Sequence, residues 1–283
     1  MREIAIITDT DSSIPFELAS QFDIYQVPIT IQFGEQSYEA VYAINDSDVF
    51  RWIDELGKLP TTSAPSPGRF IEAYRHAFEA GASKIICICV SSQVSATYNA
   101  ALAARESFPD REIHVVDSAS LSMGMGYMVL AAAAAAVKGS TVDEIISVVM
   151  DMRERTYLYT ALSTLKYLAM GGRVNNITAG LANMLDVKPI LTMRDGKLDL
   201  LERVRTRKKA WERVIELSAR AVGDRRIEKM SILHVNAPEM AHKFETEIRS
   251  RMECPVEILC VEVTPGLSVH SGAGMVGTVF VVK

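Results

Sequence analysis

Four hydroxyl-rich segments are the first candidates for chemistry in this 283-residue sequence. The segments "TDTDSS", "SSQVSAT" and "DSASLS" each follow an apolar run typical of a strand, whereas "TTSAPS" precedes a helical pattern. Open parallel sheets bind ligands at the carboxyl ends of their strands, so we expect three of these segments at one edge of a sheet. Hydroxyl groups gathered there indicate a site for an anionic group. For any one segment taken alone, capping of a helix N-terminus is the alternative.

Gly272, Gly274 and Gly277 have the G-x-G-x-x-G spacing of dinucleotide-binding loops. Such a loop needs a helix after it, because the helix N-terminus holds the pyrophosphate. The β-branched run "TVFVVK" follows Gly277 and predicts a strand, so we expect no nucleotide there. His270 precedes these glycines in a Gly- and Ser-rich segment that is predicted to be a loop, where its side chain can face a ligand.

Motifs for catalysis and for metal binding are absent from the sequence. It has no H-E-x-x-H, Walker or G-x-S-x-G motif. Asp9 and Asp11 suit a metal, but an Asp-Thr-Asp turn after a strand more often caps the next helix. The four cysteines lack C-x-x-C spacing, and Cys87 and Cys89 are predicted to be buried in a strand. We therefore expect no metal and no cofactor.

The charge and the apolar segments of the chain indicate which partner molecules and which location to expect. A net charge of −5 gives no general attraction to nucleic acid or to acidic lipid, with "RVRTRKK" at 203–209 as a local exception. The N-terminal "MREIAIITDT" is not a signal peptide pattern, so a cytoplasmic location is expected. The uncharged stretch "SASLSMGMGYMVLAAAAAAV" is long enough to span a bilayer, but its small residues predict a buried helix.

The first part of the chain predicts an α/β domain over residues 1–156 with a largely parallel sheet and flanking helices. Its strand candidates are "EIAIIT", "DIYQVPITI", "SKIICICV" and "EIHVVD". The helices between them are predicted to begin at Ser47, at Ser66 before Pro67, and at Ser95.

The second part, residues 157–283, predicts a second α/β domain with a mixed sheet. Two strand-like runs flank Asp195–Gly196, which is a strong signal for a two-residue hairpin. Helical and strand patterns then alternate. We expect residues 60–76 to pack with this second domain, and a ligand tunnel to lie between the two domains.

Eight segments together resemble one protein family. In chain order they are "TDTDSSIP", "TTSAPSPGRF", "VSSQVSATYNAA", "VVDSASLSMG", "LKYLAMGGRV", "VKPIL", "LERVRTRKKA" and "HSGAG". They resemble the DegV family of bacterial fatty-acid-binding proteins. The resemblance implies a two-domain α/β protein that buries one long-chain fatty acid, uses no cofactor and has no catalysis of its own. It also implies only transient membrane contact, and a separate ATP-dependent fatty acid kinase that makes acyl phosphate for phospholipid synthesis.

The resemblance also assigns site residues. Thr62 and Ser95 match the family's hydroxyl ligands of the carboxylate, with His270 beside them. Arg173, Arg205 and His270 resemble the polar groups that support phosphoryl transfer.

Three residues depart from the family pattern. Ala64 stands where Gln is common, Ala96 where Gly is common, and Ala273 where Pro is usual between the glycines. We expect these departures to change the bulk beside the head group.

Two segments are predicted to line the acyl tunnel: the Met- and Ala-rich helix after Ser120, and "ITAGLANML". Ordinary core is the alternative for both.

Two other functions stay open at this point. One is an acyl hydrolase or transferase using Ser95 or His270, against which the lack of an acid to orient His270 counts. The other is a nucleotide-dependent regulatory protein, suggested by the glycines alone.

Overall fold

The computed structural model describes residues 3–171 and 187–283. The strands are β1 (Ile4–Asp9), β2 (Tyr25–Val27), β3 (Thr30–Phe33), β4 (Gln36–Glu39), β5 (Thr61–Ser63), β6 (Lys84–Cys89), β7 (Glu112–Asp117), β8 (Thr156–Ala161), β9 (Lys188–Arg194), β10 (Lys197–Val204), β11 (Ile227–His234), β12 (Leu259–Glu262) and β13 (Val276–Val282). The helices are α1 (Phe16–Gln21), α2 (Asp46–Leu56), α3 (Pro67–Glu79), α4 (Thr97–Arg105), α5 (Met123–Val137), α6 (Val142–Glu154), α7 (Lys166–Gly171), α8 (Arg207–Val222), α9 (Pro238–Arg249) and α10 (Pro265–Ser271).

The first sheet has the strand order β2-β1-β6-β7, and all of its strands are parallel. This confirms the predicted parallel sheet. The segment "DIYQVPITI" is not one strand, however. It divides at Pro28 into β2, which joins the first sheet, and β3, which joins a small antiparallel sheet of order β4-β3-β5. Proline has no N–H to donate to a strand ladder, which explains the break.

The second sheet has the order β10-β9-β8-β13-β11-β12 and is mixed, as predicted. Of its described strand pairs, β11 and β12 are parallel and the others are antiparallel. The predicted hairpin is confirmed: β9 and β10 pair antiparallel, and Asp195 and Gly196 have φ values of 51° and 74°. Both φ values are positive, as a tight two-residue turn requires. The division into domains at residues 156 and 157 stays a prediction.

The main apolar core lies between the two sheets and is built around α5. Its residues include Ile6 of the first sheet, Met125 and Met128 of α5, and Leu233 and Val279 of the second sheet. The predicted buried helix is therefore confirmed. Among the described residues, no helix is long and apolar enough to cross a membrane.

The outer faces of the sheets carry separate cores. Helices α3 and α4 pack on the first sheet, and α8 and α9 pack on the second. The chain thus forms alternating layers of helix and sheet, with α5 in the central layer.

Two of the three predicted helix starts differ in detail from the structure. Asn45, not Ser47, caps α2, because the Asn45 side chain accepts the N–H of Asp48 at 3.0 Å. Ser66 does precede α3, with Pro67 in its first turn. Ala96, not Ser95, is the capping residue of α4. A capping position requires the backbone to turn at the residue itself, and in both corrected cases a neighbour takes that position.

Candidate functional site

A cavity of about 480 Å³ lies between the two sheets. Its first-sheet wall comes from the segments that follow β1 and β6. Strands β8, β9, β10 and β11 supply lining residues from the second sheet, and β5 and α10 line the cavity as well. The apolar lining residues are Ile29, Val94, Leu121, Leu158, Leu162, Leu168, Leu191, Leu198, Leu233, Val263, Leu267 and Met275. A cavity of this size with a mainly aliphatic wall suits a small apolar ligand.

Alternation along β8 produces much of that wall. Leu158, Thr160 and Leu162 are two residues apart, so they point to the same face of the second sheet. Leu191 of β9 pairs directly with Thr160. Gly277 of β13 pairs with Thr160 on its other side, and a Cβ there would lie 2.5 Å from the Thr160 methyl group. Because residue 277 is glycine, the Thr160 side chain can pack directly against the backbone of β13.

Thr62 of β5 and His270 of α10 meet in the lining of the cavity. Thr62 pairs with Ile31 within the small sheet, and His270 lies in the last turn of α10. The Oγ1 atom of Thr62 and the Nε2 atom of His270 are 2.8 Å apart, which is a hydrogen bond. Two of the predicted site residues are thus brought together from 208 positions apart in the sequence.

Helix α7 packs closely against His270. A Cβ atom at Gly171 would lie 2.3 Å from the His270 Nδ1 atom, so only glycine fits there. At Gly272, whose φ is 80°, a Cβ atom would lie 2.3 Å from the Tyr167 ring. His270 is therefore held in a helix, and the prediction of a loop for this residue is wrong. Gly272, which follows the last residue of α10, leaves room for the Tyr167 ring.

The three glycines do not form a nucleotide loop. β13 begins at Val276 and includes Gly277, so a strand rather than a helix follows Gly272 and Gly274. Gly274 packs against Ser163, whose Oγ would be 2.6 Å from a Cβ at this position. The glycine spacing is therefore explained by close packing.

Ser95 lies in the segment after β6 and lines the same cavity with Ser92, Gln93 and Ala96. Its Oγ atom is 2.8 Å from the Oγ1 atom of Thr97 and accepts the Thr97 N–H at 3.3 Å. Ser95 thus lines the same cavity as Thr62 and His270, and its role as a carboxylate ligand stays a prediction. Its hydroxyl is fixed by the start of α4 rather than by His270.

The Asp9 side chain has a structural role at the ends of β1 and β6. The two carboxylate oxygens of Asp9 accept the N–H of Asp11 at 2.9 Å and that of Val90 at 2.8 Å, which ties the ends of β1 and β6 together. Burial raises the pKa of Asp9 to about 7. No group of side chains within the described ranges is arranged to hold a metal ion. Asp11 itself lines the cavity, with its carboxylate packed on Gly266.

Of the two arginines assigned by resemblance, Arg205 lies within the described residues. Arg205 is exposed between β10 and α8 and is not among the cavity-lining residues. Arg173 lies outside the described residues.

The departures from the family pattern fall in two places. Ala64 and Ala96 line the cavity. Ala273 packs at the edge of the main core instead.

The tail-lining prediction for α5 is wrong. Met123, Met125 and Met128 are fully buried in the main core, and only Leu121 and Ser122, which precede α5, line the cavity. The other predicted segment, "ITAGLANML", lies outside the described residues.

Sequence reasoning missed the leucines of β8, β9 and β11. The spacing of Leu158 and Leu162 predicts that both leucines lie on one face of a strand. It does not predict whether that face packs in a core or lines a cavity.

Comparisons with known proteins agree on one family. The sequence model of the DegV family matches residues 3–283. A DegV domain-containing protein of Caldanaerobacter subterraneus is 32% identical over 280 residues, which is 99% of each chain.

Two solved structures are similar over the whole of both chains. One is a fatty-acid-binding DegV family protein of Thermus thermophilus, with 28% identity and a TM-score of 0.92. The other is DegV of Bacillus subtilis, a fatty acid binding protein, with 27% identity and a TM-score of 0.89.

Proposed function

This chain belongs to the DegV family, and we propose on that premise that it binds one long-chain fatty acid in the cavity between its sheets. The observation that carries the proposal is the cavity itself. Most of its lining is aliphatic, and the lining also contains a hydrogen-bonded hydroxyl and imidazole, those of Thr62 and His270. The solved relatives from Thermus thermophilus and Bacillus subtilis, which bind fatty acids, support the same ligand class.

The acyl chain supplies most of the binding free energy. Burying about 14 methylenes at about 0.8 kcal/mol each contributes about 11 kcal/mol before the cost of association is subtracted. The leucines on β8, β9 and β11 provide the surface for this burial.

We assign the carboxylate to the polar part of the lining that contains Thr62, Ser95 and His270. A buried carboxylate is costly unless donors satisfy it, and hydroxyl and imidazole groups are such donors. Asp11 and His270 are the ionisable side chains among the described lining residues. The shape of the aliphatic wall then determines which fatty acids fit. Hydrogen bonds from Thr62, Ser95 and His270 determine which way the bound fatty acid points.

The fatty acid is then a substrate for a separate ATP-dependent kinase. A carboxylate oxygen attacks the γ-phosphorus of ATP bound to that partner, the bond to ADP breaks, and an acyl phosphate forms for phospholipid synthesis in the cytoplasm. This chain presents the carboxylate, and His270, Arg173 and Arg205 support the transferring phosphoryl group. The exposure of Arg205 on the surface supports contact with a partner.

A hydrolase or transferase using Ser95 or His270 has less support. A serine nucleophile needs a base within hydrogen-bond reach. The partner of the Ser95 hydroxyl is Thr97, and that of the His270 Nε2 atom is Thr62.

Removing the hydroxyls tests the head-group site. We expect Thr62→Ala and Ser95→Ala each to weaken palmitate binding about ten- to a hundredfold, because a hydrogen bond to a charged group contributes about 1.5–3 kcal/mol. Binding should not be abolished, since the tail interaction is retained. Titration with radiolabelled palmitate measures the affinity.

Thr61→Ala is the matched control, because Thr61 is exposed on the same strand and does not line the cavity. Affinities of both site variants equal to that of Thr61→Ala would remove the carboxylate from this part of the lining.

A further inference from the structure

Helix α10 has only seven residues, Pro265–Ser271. A helix of this length is unstable in isolation, so contacts with the rest of the chain must fix its position. Its first turn is attached by Thr264, whose hydroxyl donates to the carbonyl of Thr10 at 2.8 Å. Its last turn carries His270, bonded to Thr62. A third contact lies between these two.

That third contact is a hydrogen bond between Ser268 and Asp46. The Ser268 hydroxyl donates to the Asp46 Oδ1 atom at 2.6 Å, which joins α10 to the first turn of α2. Ser268 is fully buried and Asp46 is 2% exposed. Neither residue lines the cavity. The contact therefore lies behind the helix as seen from the ligand.

Asp46 is buried, and removing its carboxyl group from water costs folding free energy. An apolar cluster of Ile29, Ile31, Ala40, Ile44, Val49 and Val269 joins α2, the small sheet and α10. Within the described residues, the second carboxylate oxygen of Asp46 has no hydrogen-bond partner. Burial raises the pKa of Asp46 to about 8, against the opposing effect of the Ser268 hydrogen bond. A carboxyl group at this depth destabilises a fold unless its contacts offset the loss of hydration.

Helix geometry connects this contact to the site. Residues two apart on an α-helix differ by about 200° in direction, so Ser268 and His270 project to opposite sides of α10. We infer that Asp46 and Ser268 form a positioning contact, which fixes the rotation of α10 and so holds the His270 imidazole against Thr62 at the carboxylate site. The inference rests on the proposed function, because the cavity must receive a carboxylate for the position of His270 to affect binding.

Ser268→Ala is the direct test, and Ser218→Ala is its matched control. Ser218 is also fully buried and donates to a helix carbonyl at 2.8 Å, but it lies in α8. We expect Ser268→Ala to weaken palmitate binding about tenfold, while Ser218→Ala leaves it unchanged. Ser268→Thr, which retains the hydroxyl, should restore affinity.

A spectroscopic measurement separates positioning from general destabilisation. ¹⁵N NMR of histidine in the ligand-free protein reports the hydrogen bond at the His270 Nε2 atom, with the signal assigned from His270→Gln. We expect Ser268→Ala to move this signal in the same direction as Thr62→Ala does. Should Ser268→Ala fail to fold, the double variant Asp46→Leu/Ser268→Ala replaces both partners with apolar groups, and it must shift the signal too.

The outcomes distinguish the two proposals. A wild-type protein that does not bind palmitate contradicts the proposed function, whereas the His270 signal still decides the positioning contact. If the folded Ser268 variant keeps the wild-type His270 signal and the affinity of Ser218→Ala, the positioning inference is wrong.

Discussion

His270 shows how one side chain joins the fold to the site. Its Nε2 atom is bonded to Thr62, and its Nδ1 side packs on Gly171. Thr62, Ser95 and His270 could be named from the sequence because their segments, "TTSAPS", "VSSQVSAT" and "HSGAG", match motifs of the family that it resembles. The pairing of Thr62 with His270 could not, since it depends on a small sheet that local patterns did not predict.

Replacing His270 separates binding from phosphoryl transfer. If His270 stabilises charge that develops during transfer, its effect is larger in the transition state than in the bound state. We expect His270→Ala to lower the rate of acyl phosphate formation at least tenfold more than it lowers palmitate affinity. Lipid titration and acyl phosphate assay on one preparation, with a kinase of a DegV-containing bacterium, measure both quantities.

His242→Ala is the control for that measurement, because His242 is exposed on α9, away from the cavity. Equal losses in affinity and in rate would make His270 a binding residue only. No loss in either would leave it with a packing role.

At the scale of secondary-structure elements, the sequence predicts correctly an element that a short local pattern specifies. It does not predict the surroundings of a helix that is apolar on every side. The Asp195–Gly196 hairpin is encoded by two adjacent residues and was predicted correctly. Helix α5 is apolar on all sides, so its sequence could not show whether it lines a cavity or fills a core. The structure places it in the core because sheets cover it from both sides.

The connection from β10 to α8 carries the second prediction at this scale. Thr206 caps α8, and the first turn holds Arg207, Lys208 and Lys209 with no acidic residue. Positive charge at a helix N-terminus opposes the helix dipole, so an acidic partner surface would relieve it. Arg205 precedes this turn, is exposed and forms no ion pair with any described residue. We expect Arg205→Ala to leave palmitate affinity unchanged and to reduce acyl phosphate formation about tenfold at limiting kinase.

Lys243→Ala on α9 removes one exposed positive charge elsewhere and is the control for Arg205→Ala. A docking defect should diminish as the kinase concentration rises. Wild-type rates for Arg205→Ala at every kinase concentration would exclude this surface from docking.

At the scale of the whole molecule, the site results from how the two sheets face each other. Helix α5 fills one part of the space between them, and the cavity occupies another. The α/β class, the parallel first sheet and the mixed second sheet followed from sequence patterns. The aliphatic wall did not, because its strand leucines come from β8, β9, β10 and β11, whose order within the sheet, β10-β9-β8-β13-β11, differs from their order in the chain.

The central claim is that this cavity binds a long-chain fatty acid, and native mass spectrometry of the purified protein tests it most directly. Because acyl-chain burial contributes about 11 kcal/mol before association costs, the ligand should remain bound through purification. We predict a protein mass increased by that of one C14–C18 fatty acid, which is lost on denaturation and recovered when palmitate is added to delipidated protein. A protein that carries no added mass, and that still binds none after incubation with palmitate, would contradict the account.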